Sequence, residues 1–178
     1  MKTKSAMMVR WLVVIVGLLG TSWRANGQAS TEYQLKAVFL FNFVHFVDWP
    51  ENAFHADESF VIGVMGENPF GTALEEAVKG ERVGRRSIEI RYFKSTSDVK
   101  AHILFIPKSE RTHMKEILDR VDNFTLTVSD EDSFNDMGGM IRFYKQQNKI
   151  RLSINKDALD STRLVVSSKL LRLGEVKD

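Results

Sequence analysis

The sequence predicts an α/β fold: a single-domain sandwich in which a mixed sheet of roughly six strands carries helices on both faces and ends in a β-hairpin plus a helix. Three observations predict it. Short β-rich runs alternate with stretches of helical spacing between residues 59 and 128, the order that builds parallel strands with crossover helices. One of these runs, His102–Ile106 (HILFI), is almost entirely apolar, as a strand buried on both faces requires. Farther on, Met140–Tyr144 and Ile150–Ile154 alternate cleanly across Gln146-Gln147-Asn148, which reads as a hairpin with one wet face.

The elements follow in chain order. Glu32–Trp49 (EYQLKAVFLFNFVHFVDW) is too long for a usual strand and reads as a helix stopped by Pro50, because proline pushes the preceding residue away from helical angles. At about 100° per residue, Gln34, Asn42, His45 and Asp48 share one stripe with Val38, Phe41 and Trp49. The helix is thus apolar nearly all round, which means either a central packing element or an aromatic contact surface. Phe41, His45 and Trp49 are therefore the candidate partner contacts.

Ser59–Met65 is a strand, and Gly66–Gly71 turns the chain into a helix over Thr72–Lys79. Ser87–Phe93 alternates as a second strand, and Thr96–Lys100 reads as a short helix or turn. After HILFI, Pro107-Lys108-Ser109 leads into a helix over Glu110–Arg120, with Ser109 as its N-cap. Phe124–Val128 is the next strand, followed by the acidic loop Ser129–Ser133 and a Gly138-Gly139 turn into the hairpin. Asn155 caps a helix over Lys156–Ser161, and Ser167–Leu173 forms the last helix. Residues 30–178 contain no linker, repeat or low-complexity tract, so they make one domain.

Composition narrows the function classes. With 43% apolar residues the chain can bury enough surface to fold, which excludes disordered and collagen-like classes. It has no cysteine, which removes disulfides, thiol catalysis and thiolate metal sites together. The net charge is +2, but Lys2, Lys4, Arg10 and Arg24 all lie in residues 1–27, which hold no acid. That segment has a basic start, the apolar run Trp11–Gly20 and small residues near Gly27, the pattern of a secretory signal. Cleavage before Gln28 takes the net charge from +2 to about −2 and leaves 28–178 as a mildly acidic exported domain, so nucleic-acid binding loses its compositional support.

No catalytic arrangement emerges. The loop around Gly66 matches neither the dinucleotide fingerprint nor the phosphate loop with its lysine and hydroxyl. Ser109 and Ser129 follow strands without the glycine-flanked elbow of a nucleophile, and His45, His55, His102 and His113 pair with neither. Asp130-Glu131-Asp132 lacks the alternation of a calcium loop. The reading is of a protein that is not an enzyme and uses no metal or cofactor. Position is the remaining guide: in parallel sheets, ligands favour the loops beyond the carboxyl ends of strands. Asn68, Ser109, Ser129, Asp130 and Gly139 lie there and are the candidate small-molecule contacts.

Several stretches together are more specific: EYQLKAVFLFNFVHFVDWP, VIGVMGENPFG, HILFIPKSE, LTVSDEDSFNDMGGMIRFY and KIRLSINKDALDSTRLVVSSKLLRLGEV. Through them, residues 32–176 resemble the YfiR-like family of exported bacterial proteins. The resemblance implies a periplasmic α/β domain, often a homodimer. For the founding type it implies a repressor that binds the periplasmic sensor domain of an inner-membrane diguanylate cyclase and keeps cyclic di-GMP output low. The founding type carries disulfide-forming cysteines that this chain lacks, so redox control is not carried over. The expected function is regulation of a membrane signalling receptor, and the alternative is a small-molecule binding module.

Overall fold

The computed structural model of the protein describes residues 24–54, 59–97 and 99–177. The chain divides into two units, Met1–Glu32 and Tyr33–Asp178. The expected leader, residues 1–27, lies outside the described residues apart from Arg24–Gly27, which open the first helix.

That helix, α1, spans Arg24–Asn42 and stops well short of Trp49. The expectation of one helix to Pro50 is corrected here. The chain tightens into a 3₁₀ turn over Phe43–His45, and Val47–Asp48 then forms a short strand, β1. The reason is a partner from far along the chain: Val47 and Asp48 pair antiparallel with Val166 and Val165, and the Ser167 N–H donates to the Phe46 carbonyl at 2.8 Å. A β-branched residue loses rotamer freedom in a helix and little in a strand, so Val47 gives way readily to this pairing.

The elements after it are β2 (Phe60–Met65), α2 (Ala73–Val78), β3 (Arg82–Val83), β4 (Arg86–Phe93) and β5 (Ile103–Ile106). A 3₁₀ turn over Lys108–His113 leads into α3 (Met114–Arg120). Ser109 therefore lies inside that turn, whose N-cap is Pro107, and does not cap the α-helix. Next come β6 (Leu126–Ser129), β7 (Ile141–Gln146), β8 (Lys149–Asn155), α4 (Lys156–Asp160), β9 (Val165–Val166), α5 (Ser168–Leu173) and β10 (Gly174–Lys177).

The main sheet has eight strands in the order β10-β8-β7-β6-β5-β2-β4-β3, and β1 with β9 forms a separate pair. The class is the expected mixed α/β one, with more strands than expected because β3 and β10 are too short to alternate legibly. Strands β4, β2, β5, β6 and β7 run parallel, β8 returns antiparallel to β7, and β10 lies parallel to β8. The β7–β8 hairpin is tighter than expected: Gln147 and Asn148 alone form the connection, at φ 49° and 60°. Two left-handed residues in succession give the turn whose twist matches a two-residue hairpin.

Each face of the sheet has its own core. On face one, Phe60, Ile62, Phe105, Val128 and Phe143 lie beneath Ala37 and Leu40 of α1, Leu74 of α2, Leu159 of α4 and Leu170 of α5. On face two, Val61, Met65, Leu104 and Ile106 pack with Met114 and Ile117 of α3 and with Phe134. Helices thus cover both faces, as predicted.

Asn155 caps α4 as expected, its Oδ1 accepting from the Ala158 N–H at 2.9 Å. Its amide also donates to the Asn135 carbonyl at 3.0 Å, joining α4 to the loop after β6. Asn155→Ala should lower stability by about 1–2 kcal/mol. In urea denaturation Asn155→Asp should fall between the two, because it keeps the cap and loses the amide donor.

Candidate functional site

The chain leaves β2 through α2 on face one to reach β4, and leaves β5 through α3 on face two to reach β6. Connections to opposite faces make the gap between the carboxyl ends of β2 and β5 the place where open parallel sheets form a ligand crevice. The loop that follows β6 reaches the same end of the sheet, and its chemistry centres on Asp130.

The Asp130 carboxylate accepts from the Tyr33 hydroxyl and the Lys36 ammonium, both at 2.7 Å, and from the Lys108 backbone N–H at 2.9 Å. The side chains of Lys36 and Asp130 are 3% and 5% exposed. Burial works to raise the Asp130 carboxyl, but the Lys36 charge and hydrogen bond, the Tyr33 hydroxyl and the Lys108 N–H outweigh it. Together they hold the group below its ordinary range. The Lys36 ammonium also lies 4.3 Å from the centroid of the Tyr33 ring, which itself packs edge-on against Phe70. The cluster therefore clamps α1 to the ends of β5 and β6.

The neighbouring groups are similarly occupied. Ser129 is fully buried, its Oγ accepting from the Glu131 N–H at 3.0 Å. Glu131, also buried, accepts from Ser133 and faces Arg111 at 3.4 Å. Ser109 is exposed on its turn, next to the Lys108 that meets Asp130. Gly139 is buried at the far end of the loop, its carbonyl accepting from the Asn135 amide. Asn68 belongs to the β4 side: its Oδ1 accepts from the Phe70 N–H, and its amide donates to the Gly71 carbonyl and the Tyr92 hydroxyl. Burial and the Glu75 acceptor push that hydroxyl above the ordinary tyrosine range. Of the five candidate ligand residues, Ser109, Ser129 and Asp130 are thus brought together, with Asn68 and Gly139 apart from them.

The candidate partner stripe is broken where α1 ends. Phe41 and His45 remain neighbours, with ring centroids 5.4 Å apart and edge-on. Trp49 turns elsewhere, its indole N–H donating to the Phe124 carbonyl at 2.8 Å and its ring resting edge-on against Phe60. There it lines a cleft of about 490 Å³ with Asp48, Glu51, Phe54, Arg85 and Arg86.

A second apolar surface, which shares only Val38 with that stripe, was not foreseen from the sequence. Leu35 and Val38 of α1 are about half exposed, and so is Leu173 at the end of α5. Leu35 shares helical spacing with Phe39 and Asn42, which line an apolar cleft of about 260 Å³ with Phe43, Leu170 and Leu173. Gln34 and Asn42 share their stripe with Val38 and Phe41, so the polar residues did not separate the open side of the helix from the buried one.

Among the described residues, no group of three His, Asp or Glu side chains is placed to hold a metal, and no helix is long and apolar enough to cross a membrane. Compared with known proteins, residues 33–175 match a family model described as YfiR/HmsC-like. No curated protein matches the chain.

Proposed function

The chain belongs to the YfiR/HmsC-like family, and from that premise we propose that it is an exported, non-enzymatic regulator of cyclic di-GMP signalling. It binds the periplasmic sensor domain of an inner-membrane receptor, a diguanylate cyclase, and shifts its output. The regulator can displace the receptor's equilibrium only by the difference in its affinity for the two receptor states.

The observation that carries this reading is the half-exposed trio Leu35, Val38 and Leu173, of which Leu173 lines the apolar cleft between α1 and α5 and Leu35 shares helical spacing with Phe39 and Asn42 of its lining. Large apolar side chains left half exposed beside an apolar cleft support a docking surface. Phe41 and His45, one row over on the helix and the turn after it, extend the contact. Trp49 serves as a reporter from its own cleft.

Capture from solubilised membranes with the purified protein should recover an inner-membrane receptor with a cyclase output. The Leu35→Glu/Val38→Glu variant should lose that capture by ten- to a hundredfold, because two apolar anchors are replaced by desolvated charges. Its melting temperature should stay close to the native value, since both side chains face solvent. Capture of no such receptor, with cyclic di-GMP unchanged in a deletion strain, would overturn the proposal.

The small-molecule alternative has less support, because Ser129 and Asp130 direct their polar atoms to bonds within the protein. A ligand that raises the melting temperature in a thermal-shift screen, and fails to do so in a Ser109→Ala/Asn68→Ala variant, would revive it.

A further inference from the structure

We propose that the cleft between the segment after β1 and the β3–β4 hairpin is a binding site for a small aromatic acid with a single carboxylate, anchored by Arg86. The inference goes beyond the regulatory reading and does not depend on it. The cleft encloses about 490 Å³, within the range of about 300–1,000 Å³ usual for small-molecule sites. The hairpin forms one wall: Val83 and Arg86 pair across Gly84-Arg85, with Gly84 at φ 59°. The Arg82 guanidinium donates to the Arg85 carbonyl and holds that turn closed. The aromatic lining is Trp49 and Phe54, beside Val44 and Val47. Trp49 is fixed by its bond to the Phe124 carbonyl, and Phe54 stacks on the His102 ring with centroids 4.6 Å apart. The apolar surface is therefore shaped before any ligand enters, which lowers the entropy lost on binding.

Arg86 supplies the anchor. Its guanidinium lies 4.1 Å from the centroid of the Phe54 ring, and its Nε is buried with no acceptor among the described residues. Farther along β4, Arg91 shows the same edge satisfied: its Nε and Nη2 donate to the two carboxylate oxygens of Glu89 at 2.8 and 2.9 Å. Asp48 and Glu51 line the same cleft, yet neither reaches the Arg86 Nε. An enclosed donor edge without an acceptor is costly, and a carboxylate is the group whose two oxygens match it. Arg86 is partly exposed and lines the cleft, so a small turn of the guanidinium brings Nε and one Nη onto an incoming carboxylate. The ring of the ligand then rests among Trp49, Phe54 and Val47. Charge limits the anion. The exposed Asp48 and Glu51 balance Arg85 and Arg86, so a second negative charge on the ligand meets the two acids without compensation. A single carboxylate is therefore favoured over a dicarboxylate.

The test is titration of the purified protein, as it accumulates in its host, with phenylacetate at neutral pH, followed by calorimetry and by the side-chain NMR signal of the Arg86 Nε–H. Phenylacetate should bind with a dissociation constant of about 0.1–1 mM, as expected for a ligand of so few atoms. It should also move the Nε–H signal downfield, the mark of a charge-assisted hydrogen bond. Phenylacetamide keeps the shape and loses the charge, acetate keeps the charge and loses the ring, and phenylmalonate adds a second carboxylate. Each should bind about tenfold more weakly or worse, and Arg86→Gln should weaken phenylacetate by about the same factor. Asp48→Asn/Glu51→Gln should tighten phenylacetate and bring phenylmalonate up to it, a gain that loss of folding cannot imitate. No saturation by about 10 mM phenylacetate, phenylacetamide binding as well as phenylacetate, Arg86→Gln binding as well as the wild type, or no gain in the double variant would each overturn the inference.

Discussion

Asp130→Ala should lower the unfolding free energy by about 3–5 kcal/mol, because it leaves the Lys36 ammonium buried without its carboxylate. The substitution also strips acceptors from the Tyr33 hydroxyl and the Lys108 N–H. Asp130→Asn should fall short of that loss, since an amide oxygen still accepts from two of the three donors. The double replacement Lys36→Met/Asp130→Leu should recover most of the stability, as apolar residues of similar volume often substitute for a buried pair with little loss. Urea denaturation of the four proteins separates these outcomes. Equal stability of Asp130→Ala and the wild type would show that the clamp contributes nothing.

The same carboxylate makes stability depend on pH in a defined direction. Its folded pKa is depressed below the value of about 3.9 expected in the unfolded chain. Above that value both states are ionised and the full stabilisation is present. As the pH falls below it, the unfolded chain takes up the proton first, and the contribution is lost as the pH passes through the folded pKa. Wild-type stability should therefore fall more steeply than that of Asp130→Asn as the pH drops below about 4.

Phe134→Ala should be nearly as damaging, at about 3–5 kcal/mol, because the ring is fully buried in the second core against α3 and the strands of face two. A subtler change at the same place tests the packing from the other side. A Cβ on Gly139 would come within 2.3 Å of the Phe134 ring, so Gly139→Ala should lower stability by about 1–3 kcal/mol. Phe134→Leu in that background should return part of the loss. Additive effects in this double-mutant cycle would show that the two sites do not touch. The glycine that the sequence offered as a candidate for close approach by a ligand is thus approached closely by the protein's own ring.

Much of the architecture was legible because it depends on local pattern. The run FVIGVM, the apolar ILFI and the alternating hairpin each declare a strand within a few residues, and Asn155 announces the helix that follows it. The end of α1 was not legible. The helix gives way at FVHFV because Val165–Val166, more than a hundred positions later, supplies a strand partner, and Pro50 acts only on the residue before it. The charged clamp was half legible. Asp130 stood out by its place after β6, whereas Lys36 was passed over among Leu35, Ala37 and Val38. A lysine set among Leu35, Ala37, Val38, Phe39 and Leu40 is itself the missed signal, because such a charge must be paired where that stretch is covered.

The clamp has a further consequence for how the molecule is made. Lys36 and Asp130 are separated by 94 positions, and the strand that holds Val47 comes later still. At about 5–20 residues per second, synthesis delivers the carboxylate on the order of 5–20 s after the lysine. Through that interval α1 has emerged without the sheet that buries it, so its aromatic residues are open to a chaperone or a protease.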